Sequence, residues 1–378
     1  MSDPFSHKEY GEYFETLTRQ LGSEKAVPPV RSQPQRPLPV RRKRKRKTRI
    51  KPAAIFTFFV VIGVAAILVF LSAFGKFSAK TGSGKTAAVP ETRVPAASET
   101  ESVEQQVKEP IVFKETDKTV AAPSGNDAES LIMVKTETNE IVTARDPKRK
   151  LFPASTTKIM TLLVAVEKTE NLEDTFEMTQ AITDEMYVAE ATVAGFSPGE
   201  QVEITDLLYG TILRSGGDAA MGLAEKLAGS QEKFVGWMNE KVKELGLKDT
   251  HFTNVTGLHD PNHYTTAYDL AVILKAALEV PLCKEVLSTY LHTTKATPQH
   301  PEGIKLSATL FDFMYGTEPE TATILGGKTG FVNESGYCIA TYGKNNTTGT
   351  EYIAVTMKNS ARWPAVFGQI DLYKEFAK

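Results

Sequence analysis

From Ala53 to Phe74 the chain reads AAIFTFFVVIGVAAILVFLSAF, 22 residues in a stretch with no charged side chain between Lys51 and Lys76. At about 1.5 Å of rise per residue, a helix of this length crosses a hydrocarbon core of roughly 30 Å. No polar face interrupts the run, which argues against a helix packed in a globular core. Directly before it lies RRKRKRKTRIK, Arg41 to Lys51. Such a run stays on the cytoplasmic side, which puts the N-terminus in and the bulk of the chain out. The apolar stretch is longer than that of a cleaved signal peptide and follows a long polar lead, so residues 52–75 read as an uncleaved transmembrane signal anchor.

The anchor also divides the charge. Residues 1–51 hold 14 Lys/Arg against 5 Asp/Glu and the rest of the chain 30 against 41, so the net charge of −2 conceals a basic end on an acidic chain. Beside a membrane span, that basic end meets lipid phosphates and not nucleic acid. Residues 1–51 read as a cytoplasmic tail, mostly disordered and Pro-rich from Pro28 to Pro39. Tyr10, Tyr13, Phe14, Leu17 and Leu21 fall at helical spacing, which offers a cytoplasmic partner a short amphipathic helix; a plain solvated tail is the simpler reading. Residues 76–125, rich in Lys, Thr, Ala, Glu, Val and Pro, read as a flexible extracytoplasmic stalk with an end-to-end distance of roughly 40 Å.

Residues 126–378 then form one globular unit. The chain as a whole is 41% apolar, enough for a sizeable core, and its 2 cysteines are too few for a disulfide scaffold or a multi-cysteine metal site. Leu131–Val134 and Ile141–Ala144 suggest a hairpin, followed by a helix with Ile159, Leu162, Leu163 and Val166 on one face. Helices are predicted near 206–213, 218–228, 231–245 and 266–279, with Gly246 ending the third. Tyr337–Tyr342 and Tyr352–Met357 alternate as strands, and Trp363–Phe376 reads as a closing helix. Strands at both ends with helices between predict an α+β fold whose terminal segments share one sheet.

Several short patterns carry no chemistry. Gly195-Phe196-Ser197-Pro198-Gly199 matches G-x-S-x-G, but Pro198 has no N–H to give an oxyanion. His259 and His263 are four apart, yet Pro261 lies between them and no Glu follows His259, so a polar loop is expected and not a metal site. Gly84-Lys85-Thr86 lacks the first glycine of a phosphate loop. Ser230-Gln231-Glu232-Lys233 reads as a helix start.

Three triplets stand in better contexts. Ser155 opens Ser155-Thr156-Thr157-Lys158 at the start of an apolar-periodic helix, where the helix dipole favours developing negative charge, and Lys158 faces the same side. A serine hydroxyl needs a base to take its proton, and lysine serves only when burial or another cation depresses its pKa; Lys328 could supply that cation. Without such a role the pair is a capping serine and a surface lysine. Ser215-Gly216-Gly217 sits in a turn, where Ser215 would otherwise be a cap and Asp218 caps the next helix. Lys328-Thr329-Gly330 follows Gly326-Gly327 and leads towards a strand, an arrangement suited to a substrate carboxylate or simply to a glycine-rich hairpin.

Together with the segments PASTTKIMT, LLYGTILRSGGDAA, FVGWMNEKVKELGLKDTHFTN, TGLHDPNHYTTAYDLA and GGKTGF, these triplets resemble the serine-type D-Ala-D-Ala carboxypeptidases, the low-molecular-mass penicillin-binding proteins, over nearly all of residues 126–378. The resemblance implies a serine β-lactamase/DD-peptidase-like fold: an antiparallel sheet flanked by helices plus a mostly helical subdomain. It implies Ser155 as the acyl-enzyme nucleophile, Lys158 as general base and Ser215 as proton relay. Lys328 and Thr329, with Gly330, Phe331 and Gly217, would bind substrate, and the N–H groups of Ser155 and Phe331 would form the oxyanion hole. Peptidoglycan stem peptides are the implied substrates and β-lactams the covalent inhibitors, with no cofactor and no metal. The chain departs from the pattern at position 217, where the family usually has Asn and this sequence has Gly. Two alternatives follow. A class A β-lactamase would carry a deacylating Glu between the second and third triplets, and TGLHDPNHYTTAYDLA has none. A catalytically weak, β-lactam-sensing domain with a partner-recruiting tail is the other, motivated by Gly217 and residues 1–51.

Overall fold

The computed structural model describes residues 110–317 and 319–378. The segments expected to be a cytoplasmic tail (1–51), a signal anchor (52–75) and the stalk up to residue 109 lie outside the described residues. Among those described, no helix is long and apolar enough to cross a membrane.

A six-stranded sheet organises the unit. Its strands are β1 (Val120–Ala121), β2 (Ser130–Lys135), β3 (Ile141–Arg145), β8 (Ala322–Val332), β9 (Gly336–Asn345) and β10 (Glu351–Asn359), in the spatial order β1-β3-β2-β10-β9-β8. The two hairpins expected at the ends of the domain meet where β2 lies antiparallel to β10, with Ile132 opposite Val355 and Val134 opposite Ile353. Both faces of the centre are covered. Leu131, Met133, Tyr352 and Ala354 pack against the closing helix α9 (Arg362–Phe376), while Ile132, Val134, Ile353 and Val355 face the helical unit. This two-sided burial is why β2 reads as a continuous apolar run, not as an alternation.

The helical unit is built around α1 (Lys158–Lys168), whose Ile159, Met160, Leu162 and Leu163 are all buried. Around it stand α2 (Gln180–Val188), α3 (Ile204–Leu213), α4 (Gly217–Ala228), α5 (Gln231–Glu244), α6 (Ala267–Leu278) and α7 (Pro281–Ser288). A short α8 (Thr309–Met314) and the two-stranded pairs β4 (Thr175–Glu177) with β5 (Gln201–Glu203) and β6 (Leu291–Thr293) with β7 (Lys305–Ser307) complete it. Local signals set the helix ends. The Thr179, Ser230 and Thr266 hydroxyls accept N–H bonds from Ile182, Lys233 and Asp269, which makes Ser230 the cap read from its sequence. Gly246 follows α5 at φ 71°, the left-handed turn expected of a terminator.

The α+β expectation holds, with two corrections. The sheet is mixed: β1 runs parallel to β3. Within residues 110–125, expected to belong to the stalk, Phe113 joins the core and Val120–Ala121 pair with β3. Phe113 is 5% exposed and packs edge-on against Tyr268, whose hydroxyl accepts the Phe113 N–H at 2.9 Å. A chain beginning at Glu101 should therefore melt higher than one beginning at Asn126. Burial of a phenylalanine contributes about 1.5–3 kcal/mol, or roughly 3–12 °C for a domain of this size. Calorimetry of the two truncations decides, and equal melting temperatures would place residues 110–125 outside the folding unit.

Candidate active site

The site lies where α1, α4 and β8 converge. Ser155 is not in the first turn of the α-helix as expected but in a 3₁₀ turn, Ala154–Thr157, that feeds it. This turn is locked from three sides. Gly330 of β8 lies so close that a Cβ there would stand 2.9 Å from the backbone nitrogens of Ser155 and Thr156. Gly257, at φ +81°, packs against Ala154 so tightly that any Cβ would overlap the Ala154 carbonyl oxygen. The third clamp is His263, which is buried and whose Nδ1 accepts the Thr253 N–H at 3.1 Å. The proton therefore sits on Nε2, which lies 2.7 Å from the Thr157 hydroxyl and donates to it. Burial holds the His263 pKa down at about 4. His263 is thus a structural tie, and His259 lies exposed at the rim with its ring edge-on to Phe152.

Lys158 projects one turn beyond Ser155, with Nζ 3.1 Å from the serine Oγ. Its second contact is the Thr256 carbonyl at 2.6 Å. That carbonyl is aimed by a local turn in which the Asn254 side chain accepts the N–H groups of Thr256 and Gly257 at 3.1 and 2.7 Å. The amine is buried, and desolvation lowers its pKa from 10.5 to about 7, against an opposing pull from the Asp218 carboxylate. Of the two causes the sequence left open, burial or a second cation, it is burial that acts on Lys158. Lys328 is also buried, with Nζ donating to the Thr329 carbonyl at 2.8 Å. Its own pKa is held well below the ordinary lysine value, first by burial and then by the charge of Lys158.

The triplets meet around two adjoining cavities. One, of about 290 Å³, is bounded by Ser155, Ser215, Thr329, Gly330 and Phe331. The other, of about 640 Å³, is bounded by Ser155, Lys158, Gly217, Thr256 and Phe331. All predicted site residues except Lys328 line one or both; Lys328 lies beneath, beside Thr329. The Lys328-Thr329-Gly330 triplet is inside the edge strand β8, not at the mouth of a hairpin. Ser215 is held at φ 58°, in the left-handed region, so its conformation is set by the fold and not by preference. A serine hydroxyl beside an amine whose pKa burial has lowered, with a second buried lysine nearby, suits nucleophilic attack on a carbonyl.

Four contributors were not singled out from sequence. Thr256 and Gly257 build the floor, Thr192 lines both cavities, and Arg362, stacked over Phe313 at 4.6 Å, borders the smaller one. None carries a local signature. Asp218, read as a cap for α4, instead sits in its first turn and reaches outward: Oδ1 accepts the Ala194 N–H at 2.7 Å and Oδ2 the Gly195 N–H at 3.0 Å. Cys283 and Cys338 are buried free thiols. Among the described residues, no group of three or more His, Cys, Asp or Glu could hold a metal ion.

Comparison with known proteins gives a consistent result. The sequence pattern of the D-alanyl-D-alanine carboxypeptidase family matches residues 116–361. D-alanyl-D-alanine carboxypeptidase DacF of Bacillus subtilis is 30% identical over 237 residues, 62% of this chain and 59% of that protein. DacC of Escherichia coli is 38% identical over 174 residues, 44% of this chain and 43% of that protein. The chain thus spans about half the length of the curated relatives it matches. Among solved structures, the Streptomyces K15 DD-transpeptidase superposes with a TM-score of 0.59 at 26% identity, covering 68% of this chain and 99% of that one. Penicillin-binding protein 5 of Haemophilus influenzae gives 0.59 at 26%, covering 67% and 71%.

Proposed function

The chain belongs to the D-alanyl-D-alanine carboxypeptidase family, and on that premise we propose that it is a membrane-anchored serine carboxypeptidase. It removes the terminal D-alanine from peptidoglycan stem peptides outside the cytoplasm and is acylated by β-lactams. The observation that carries the reading is the Ser155–Lys158 pair, a hydroxyl 3.1 Å from an amine whose pKa burial has brought to about 7.

Neutral Lys158 accepts the Ser155 proton as Oγ attacks the carbonyl between the two D-alanines, and the Thr256 carbonyl holds the amine in place. The N–H groups of Ser155 and Phe331 receive the oxyanion. Lys158, relayed through Ser215, returns the proton to the departing amine, so that D-alanine leaves neutral at nitrogen and the acyl group stays on Ser155. Water then attacks the ester with Lys158 again as base, releasing the shortened peptide. The terminal carboxylate is held by Thr329 over the buried amine of Lys328, with Arg362 at the cavity rim as a cation. The apolar run at 52–75 with its basic flank supports anchoring, with the N-terminus in the cytoplasm and free there to meet a partner.

Fluorescent penicillin should label the wild type on the peptide containing Ser155, and D-alanine should be released from a D-Ala-D-Ala peptide. Ser155→Ala should melt like the wild type and do neither. Labelling of that variant on the same peptide would end the assignment. Labelling of the wild type without D-alanine release would instead favour a sensing domain.

A further inference from the structure

At Gly217, where the family resemblance implies asparagine, the space beside the backbone is filled. A Cβ on Gly217 would overlap the sulfur of Met186, a fully buried residue of α2, and the Gly217 N–H is already given to the Thr192 carbonyl at 2.7 Å. Met186 of α2, together with the Thr192 carbonyl oxygen, which would stand 3.3 Å from that Cβ, therefore occupies the space into which a side chain at 217 would project. Thr192, in the segment after α2, is exposed, and its hydroxyl makes no hydrogen bond among the described residues. Of the residues bordering the two cavities, only Ser155, Thr192 and Phe331 border both. Thr192 and Phe331 thus flank the neck above the reactive serine.

The position of Thr192 is fixed, not incidental. Beyond the Gly217 contact, the N–H groups of Ala194, Gly195 and Phe196 donate to the two Asp218 oxygens at 2.7, 3.0 and 3.3 Å. Asp218 is 1% exposed and bonds the Ala219 N–H as well, at 2.9 Å. A fully buried carboxylate with four N–H donors is a rigid bracket between α4 and this wall.

Building on the proposed carboxypeptidase activity, we propose that the Thr192 hydroxyl contacts the peptide backbone of the substrate in place of the missing side chain at 217, and that Asp218 is the positioning residue that holds it at the neck. The proposal adds a specificity-determining contact to the reaction and explains how a glycine is accommodated there.

The test uses the full-length protein at alkaline pH, where Lys158 is neutral, because Asp218, Lys328 and His263 all act on or respond to its charge. Each variant is read by D-alanine release and by the rate of acylation with fluorescent penicillin. Thr192→Val, which keeps the shape, should lower kcat/KM by about two- to twelvefold, the worth of one neutral hydrogen bond, at an unchanged melting temperature. Thr192→Ser should recover most of the loss. Asp218→Asn should cost less in the Thr192→Val background than in the wild type, a coupling that a purely structural role does not produce. Activity of Thr192→Val equal to the wild type, or Thr192→Ser as impaired as Thr192→Val, overturns the contact, and additive losses overturn the role of Asp218. A wild type that neither releases D-alanine nor is acylated overturns the function and the inference with it. Where acylation alone is seen, the acylation rates decide by the same criteria.

Discussion

Lys158→Met should lower the rate of acylation by about 10²- to 10⁴-fold, the range that a positioned general base contributes. Methionine keeps the length and apolar stem but leaves the Ser155 proton without an acceptor. The pH dependence distinguishes this loss from mere disturbance. In the wild type, only the neutral amine accepts a proton, so acylation should rise with pH through an apparent pKa near 7 and fall away below it. The variant should lack that limb in whatever activity remains. Stability should respond too. Because burial lowers the folded-state pKa from 10.5 to about 7, the unfolded chain holds a proton that the folded one lacks between those values. The cost of burying Lys158 is then greatest below pH 7 and vanishes above 10.5. Thermal scans should show the melting temperature of Lys158→Met gaining on the wild type as pH falls towards 7. A flat difference, or an acid limb retained in the variant, would remove Lys158 from the role of base.

Gly257→Ala should be as damaging without touching any reacting atom. Its Cβ would overlap the Ala154 carbonyl, and the left-handed φ of +81° disfavours alanine independently. Both effects act on the turn that carries Ser155 and on the loop that presents the Thr256 carbonyl to Lys158. Strain of this kind with no room to relax costs on the order of 3 kcal/mol or more. Penicillin labelling should be lost, with a melting temperature well below that of the wild type. Labelling at the wild-type rate would mean that the turn can move without disturbing the serine.

The parts of this fold that were legible in sequence are those whose cause is local. The periodicity of Ile159, Leu162 and Leu163 marked α1, and the spacing of Ser155 from Lys158 placed both on one side of a turn. The Lys328 triplet was recognisable, but its strand was not, because Gly326, Gly327 and Gly330 hide an eleven-residue strand beneath a turn-like composition. Those glycines are there for close approach: Gly330 to the serine turn and Gly327, at φ +145°, to β9. The stalk boundary was misplaced for the opposite reason. Phe113 is an isolated aromatic in a polar stretch, and only its meeting with Tyr268, 155 residues away, makes it core. Thr192, Asp218 and Arg362 reach the site or its wall through tertiary contacts that no spacing rule encodes. The sequence left burial and a second cation as alternative causes for the lowered Lys158 pKa, since burial of an amine depends on everything packed around it.

The pairing of β2 with β10 carries a consequence for the order of events during synthesis. The nucleophile and its base are made early, near position 155, yet the strand bearing Lys328 joins the sheet only through β9 and β10, and β10 ends at Asn359. A ribosome that has not yet released that last strand holds a chain with Ser155 and Lys158 in place along the sequence but no wall opposite them. Ser155 therefore acquires its pocket only when almost the whole polypeptide has emerged, and a chain terminated before Asn359 is expected to lack the wall that β8 provides.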